Sequence, residues 1–273
     1  MSNWDRMLIG TSRCFLQVTG MIPLLSKSKS TVLISGETGT GKELFARAIH
    51  YCSERRGKPF VPLNCAALPD LLFENELLGH SSGAFTGALI DKPGLFHEAN
   101  GGTLLFDEIN SLSLAVQGKL LRVLQDQEFR PLGSTKSYKV DVKILAATNT
   151  DLRYLVETQQ FREDLFHRLN VLSVVLPPLR DRKEDILLLA NHFLKVYAKE
   201  FGKEAMVLGH SAKAKLISYA WSGNVRELDG VVHRAVAMAS GELLEAQDLD
   251  VSGNDRPESM GPTMTLLSRG LQL

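Results

Sequence analysis

Residues 35–43 read "SGETGTGKE". They follow an apolar run, Thr31 to Ile34, and lead straight into the helical pattern "KELFARAIHYC". Gly36, Gly41 and Lys42 fit the spacing G-x-x-x-x-G-K, and Gly39 adds a further glycine inside it. Glycines here let successive backbone N–H groups turn inward around an anion. The N-terminus of the following helix adds positive potential, and a lysine side chain reaches outward to further phosphate oxygens. The strand, glycine loop and helix together read as a nucleoside-triphosphate cradle. One residue departs from the usual pattern. Glu43 stands where a Ser or Thr hydroxyl ordinarily meets magnesium, so its carboxylate is expected to turn away from the phosphates.

Working outward, short apolar runs alternate with helical patterns. "TVLI" (31–34), "FVPL" (60–63), "TLLF" (103–106), "VKILAA" (142–147) and "VLSVVL" (171–176) read as strands of a parallel sheet covered by helices. About forty residues separate the second and third runs, too many for a plain connection, so an insertion is expected there. After Pro177 and Pro178 the strand signals stop. "DRKEDILLLANHFLKVYAKEF" and "NVRELDGVVHRAVAMA" carry apolar residues at helical spacing, with Asp181 and Glu184 suited to a capping pair at the first of these. The expected division is an α/β domain over 1–176, a helical domain over 177–250 and a loosely ordered tail over 251–273.

Composition narrows the class. The chain has 273 residues, 44% of them hydrophobic and 23% charged, as in an ordinary globular protein. Lys plus Arg and Asp plus Glu number 31 each, a balance that argues against a freestanding nucleic-acid binder. No apolar run approaches the roughly 18 residues of a membrane span, and no signal peptide opens the chain. Cys14, Cys52 and Cys65 have no paired spacing, which fits a reducing cytoplasm.

"GGTLLFDEI" supplies the partner of the glycine loop. Its apolar strand ends in Asp107 and Glu108, which places both carboxylates at the edge of the sheet beside the loop. Asp107 is expected to hold magnesium, directly or through water, and Glu108 to orient and polarise an attacking water. GTP is disfavoured, because "TNTD" has Thr150 where a guanine-reading Lys would stand.

"GETGTGKE", "NCAAL", "GAFTGA", "GGTLLFDEI", "AATNTDL", "FREDLFHRL", "PPLRDR" and "WSGNVREL" occur in this order over about residues 6–250. The set resembles the central AAA+ ATPase domain of bacterial enhancer-binding proteins, the activators of sigma-54 RNA polymerase. The resemblance implies a five-stranded parallel sheet in the order 5-1-4-3-2, a helical lid, and a homo-oligomeric ring, hexamer or heptamer, with ATP and Mg2+ between subunits. It implies nucleotide contacts from Gly36, Glu37, Thr38, Gly39, Thr40, Gly41, Lys42 and Glu43, with Ile9 and Gly10 beside the adenine. Asn64 resembles a switch residue whose amide holds Glu108, and Thr148 with Asn149 resembles sensor I. Arg226 resembles sensor II, and Arg162 and Arg168 resemble arginine fingers supplied to a neighbour. Each has a structural competitor: Asn64 as a strand-end cap, Thr148 and Asn149 as turn residues, Arg226 as a lid-surface arginine, and the two fingers as ion pairs with Glu163 and Asp164. Arg162 and Arg168 can reach one phosphate only if Arg162 precedes the helix or their long stems converge.

The same resemblance places Gly83, Ala84, Phe85, Thr86, Gly87 and Ala88 on the sigma-54 factor, with Phe85 near promoter DNA. The insertion would rise on a helix, "DLLFENELLGH", with Leu71, Leu72, Leu77 and Leu78 partly packed. The competing reading folds Phe85 down onto its own domain. Two other functions are open to the chain: an AAA+ machine acting on another protein, and a non-hydrolysing regulatory module that binds sigma-54. "PESMGPTMTLLSRGLQL" is neither long enough nor patterned for a helix-turn-helix, so enhancer binding is not expected of this chain.

Overall fold

A computed structural model describes residues 8–251; the expected tail therefore lies, apart from Val251, outside the described residues. Five strands form the central sheet: β1 (Val32–Ser35), β2 (Phe60–Asn64), β3 (Thr103–Asp107), β4 (Lys143–Thr148) and β5 (Leu172–Val175). All neighbours run parallel, in the order β5-β1-β4-β3-β2. The strand periodicity of two sorts the side chains onto two faces. Leu33, Leu104, Phe106, Ile144 and Ala146 enter one core, while Val32, Ile34, Leu105, Leu145 and Ala147 enter the other. β4, in the middle of the sheet, is buried at all six positions. Ser35 pairs in register with Thr148, and Asn64 with Asp107, so these four residues share one edge of the sheet.

Helices α1 (Arg13–Thr19), α2 (Ile22–Lys27) and α3 (Lys42–Cys52) precede β2. α3 begins at the residue the sequence pattern indicates, after Gly41 in the left-handed region at φ 99°. The insertion between β2 and β3 holds α4 (Asp70–Leu78), a short antiparallel pairing of Gly79–His80 with Lys92–Pro93, and α5 (Leu95–Glu98). α6 (Leu114–Asp126) is capped by the Ser113 hydroxyl, which accepts the Val116 N–H. α7 (Leu152–Glu157) is capped by Asp151, and α8 (Glu163–Leu169) leads to β5.

The expectation for α4 needs correction. Leu77 is buried and Leu78 half-buried, but Leu71 and Leu72 are 81% and 53% exposed. At about 100° per residue the leucines of this helix spread around its axis, and the inward face belongs to Phe73, Glu74 and Leu77. Glu74 is buried there because Lys119 of α6 pairs with it at 2.5 Å.

The helical part contains α9 (Lys183–Glu200), α10 (His210–Ser218) and α11 (Asn224–Met238). Its own core gathers Leu189, Leu194, Leu228 and Val232 around Trp221, whose Nε1–H donates to the Leu216 carbonyl. The Asp181–Glu184 capping pair does not form. Leu179–Asp181 make a 3-10 turn, and α9 starts after Arg182 with no side-chain cap.

Candidate functional site

The glycine loop lies between β1 and α3, and a cleft of about 310 Å3 opens beside it. Thr38, Lys42, Asp107, Glu108, Phe193 and Arg226 are among its walls. Gly36, Gly39 and Gly41 all have positive φ. Lys42 is 8% exposed and donates from Nζ to the carbonyls of Gly36 (2.7 Å) and Glu37 (3.0 Å). Burial pushes its ammonium below the usual lysine range, while the Asp107 and Glu108 carboxylates pull it back up. Glu43 borders the cleft, and its Oε1 accepts two N–H groups of Arg47 at 2.7 and 2.9 Å. Thr40 donates to the Glu37 carbonyl at 2.8 Å and so braces the loop from inside.

Asp107 and Glu108 stand at the end of β3. Asp107 Oδ1 accepts the Glu108 N–H at 3.0 Å, and the Asp107 carbonyl accepts the Cys65 N–H at 2.9 Å. Glu108 is in the left-handed region, φ 54° and ψ 45°, a conformation a non-glycine residue adopts only when its surroundings hold it. Thr148, buried at the end of β4, contacts Asn110 Oδ1 at 3.0 Å, and Asn149 Nδ2 donates to Thr38 Oγ1 at 3.1 Å. Asn149 therefore touches the glycine loop itself. Asn64 does not reach Glu108: its Oδ1 accepts the Ala66 N–H at 2.8 Å, the strand-end cap of the competing reading.

Arg162 and Arg168 stand outside this cleft. Arg162 immediately precedes α8, which meets the geometric requirement for the two arginines, and it forks onto Asp164 at 2.7 and 3.0 Å. Arg168, in the last turn of α8, pairs with no carboxylate among the described residues. It donates twice to the Leu124 carbonyl, at 2.6 and 3.2 Å. Ile9 packs on the helical core rather than on the cleft wall, and Gly10 lies where a Cβ would come within 2.3 Å of the Phe15 ring.

Residues 83–88 cap the insertion. Phe85 is 47% exposed and meets the His80 ring edge-on at 5.0 Å, so it neither sinks into a core nor stands free. Gly83 and Gly87 have φ of 81° and 103° with no neighbour where a Cβ would stand. Gly133, on the turn beside the loop, leaves room for Ala84, and the Ser81 N–H donates to the Leu132 carbonyl at 2.9 Å.

Residues 8–175 match the sigma-54 interaction domain, and residues 180–263 match an AAA+ ATPase lid domain. The chain belongs to the family of sigma-54-dependent transcriptional activators. It is 53% identical over 225 residues to the regulatory protein AtoC of Escherichia coli K12, covering 82% of this chain and 49% of that protein. With the sigma54-dependent transcriptional activator SfnR of Pseudomonas putida it shares 52% identity over 228 residues, 84% of this chain and 62% of the relative. The chain thus spans about half the length of the curated relatives it matches. Among solved structures, NtrX from Brucella abortus in complex with ATP superposes with a TM-score of 0.82 at 39% identity, over 89% of this chain and 56% of that one. A closed-state Hsp104 structure gives 0.56 at 18% identity, a likeness of fold alone.

Within this member of the family, three residues that carry no role in the sequence reading grip the glycine loop from the helical side. Arg180 forks onto the Glu37 carboxylate at 2.5 and 2.8 Å. Asn224 Nδ2 donates to Glu37 Oε2 (3.1 Å) and to the Thr38 carbonyl (3.0 Å). Arg182, 2% exposed, donates to the Thr40 carbonyl at 3.3 Å. All three lie inside "PPLRDR" and "WSGNVREL", so the signal was present, but their partners are more than 140 residues away in the chain. Residues 36–43 fit a nucleoside triphosphate: the loop is open at Gly41, where a Cβ meets nothing within 4 Å, and a buried ammonium is held there by carbonyls alone. Asp107 offers the hard oxygen donor that Mg2+ takes alongside phosphate oxygens and water.

Proposed function

We propose that this chain is an ATP-hydrolysing ring motor that remodels the closed complex of sigma-54 RNA polymerase at a promoter, acting through residues 83–88. The observation that carries the proposal is topological. The insertion bearing Phe85 is strung between β2 and β3, whose ends, Asn64 and Asp107, pair in register at the cleft.

Lys42 would exchange the Gly36 and Glu37 carbonyls for the terminal phosphates of ATP. Glu108 orients a water and accepts its proton as the water oxygen bonds to the γ-phosphorus and the bond to the bridging oxygen breaks, leaving ADP and phosphate. Mg2+ held by Asp107 would neutralise charge on the phosphate oxygens. Asn149 and Arg226 read the terminal phosphate from the sheet and the lid, and Arg162 and Arg168 act on the nucleotide of a neighbouring subunit. Arg168 must release the Leu124 carbonyl to do so. Asn64 alternates between the Ala66 N–H and Glu108, and one hydrogen bond nets about 0.5–1.5 kcal/mol, so each subunit contributes a modest bias that a ring sums. Promoter DNA contact through Phe85 and action in the cytoplasm belong to the same proposal. No helix among the described residues is long and apolar enough to cross a membrane.

The test measures ATP hydrolysis and open-complex formation on a sigma-54 promoter. Phe85→Ala is expected to keep hydrolysis and lose promoter opening, and Glu108→Ala to lose both. Promoter opening that survives Phe85→Ala would overturn the role of the loop, and a wild type that never opens the promoter would favour a remodeller of another protein.

A further inference from the structure

Glu37 lies within the glycine loop, where a carboxylate is poorly placed for phosphate: ionised, it has no proton to donate. Both of its oxygens are instead occupied from the helical side. Oε1 accepts Arg180 Nη2, and Oε2 accepts Arg180 Nη1 and Asn224 Nδ2. Asn224 is fully buried, holds a left-handed backbone at φ 55°, and receives the Leu179 N–H on its Oδ1 at 2.8 Å. Its amide thereby ties the 3-10 turn at Leu179, the loop at Glu37 and Thr38, and the start of α11 into one knot. One residue further on, the N–H groups of Val225 and Arg226 both point at the Gly39 carbonyl, at 3.0 and 3.3 Å. A Cβ on Gly39 would come within 2.2 Å of the Gly223 carbonyl, so this docking tolerates glycine alone. The Arg180 guanidinium also offsets the Glu37 negative charge, which unpaired would repel a triphosphate. It holds the Glu37 carboxyl at about 2, with the Asn224 hydrogen bond as the second cause.

We infer that Glu37, Arg180 and Asn224 form a clasp that docks the first turn of α11 on the phosphate loop and so positions Arg226 over the cleft. This rests on the nucleotide reading above. Glu37 and Arg180 are positioning residues: they act on the triphosphate through Arg226.

The test uses the full chain and the variants Glu37→Gln, Arg180→Gln and their double. Hydrogen exchange is followed without nucleotide at the Val225 and Arg226 amides, and ATP hydrolysis is followed with and without Arg226→Ala. The ion pair is about half exposed, so each single variant is expected to speed exchange at those two amides about three- to tenfold, with the double variant no faster than either. The loss caused by Arg226→Ala should shrink by a similar factor in either background. Arg180→Lys, which keeps the charge but not the fork, should fall between wild type and Arg180→Gln. Unchanged exchange in both single variants, or losses that simply multiply with Arg226→Ala, would overturn the clasp. If the wild type fails to hydrolyse ATP, the nucleotide reading falls while the exchange data still decide the clasp. Should Glu37→Gln fail to fold, Arg180→Gln carries the same comparison from an exposed side chain.

Discussion

The phosphate loop and the tip of the insertion are both glycine-rich turns with positive φ, yet their surroundings are opposite. At Gly39 the φ is 80° and the next piece of chain is already touching, with the Gly223 carbonyl 2.2 Å from where a Cβ would be. At Gly83 the φ is 81° and the same position is empty. In the first loop glycine admits another segment of backbone, and the loop is gripped by Arg180, Arg182 and Asn224. In the second, the glycines leave open space at the turn, and the half-exposed Phe85 is held at one side by the His80 ring. One residue type thus admits packed backbone in one place and leaves an open turn in another. Conformation alone does not distinguish them; neighbours do.

The sharpest way to separate the two regions is Glu108→Gln. Hydrolysis should fall by about 10²–10⁴, the usual worth of a general base, with nucleotide binding retained and hydrogen exchange over 83–88 unchanged in the absence of nucleotide. A change of loop exchange in that state would couple the regions more tightly than the geometry implies. Next in size, Gly39→Ala should cost about 2–4 kcal/mol in denaturant unfolding, since it combines strained φ with a backbone clash. Gly83→Ala should cost about 1 kcal/mol or less in the same measurement, from φ alone. Equal costs at the two glycines would break the comparison outright.

The smallest effect concerns acid. Glu37 titrates at about 2 when folded, against 4.5 as the ordinary value. Between those two pH values the unfolded chain binds more protons than the folded one at this group, so stability from the clasp is present above 4.5 and fades as pH falls toward 2. Arg180→Gln should flatten that part of the stability–pH curve, as followed by denaturant unfolding between pH 5 and 3, approximate limits set by that window.

Much of the architecture is written locally. The start of α3 at Lys42, the five apolar runs and the pairing of Glu43 with Arg47 one turn on follow from spacing and charge within a few residues. The strand order comes from the resemblance to sigma-54 activators, because nothing within a strand states its neighbours. What stayed illegible depends on distance or rotation. Glu37 sits in a phosphate-binding motif, and only the fold brings Arg180 to its carboxylate. The leucines of α4 are spread around the helix, so composition could not say that Leu71 and Leu72 face outward. Asn64 has two competent partners, the Ala66 N–H one residue beyond its neighbour and Glu108 across the strands; the nearer one holds it here.

One consequence follows from the backbone of Glu108. Its left-handed torsion costs a non-glycine residue of the order of 1 kcal/mol, which a glycine would recover. Any drift toward an easier chain at this corner therefore raises thermal endurance while removing the carboxylate that the proposed mechanism needs. On that mechanism durability and turnover are opposed at this single position, and the sturdier molecule is the one expected to stop working.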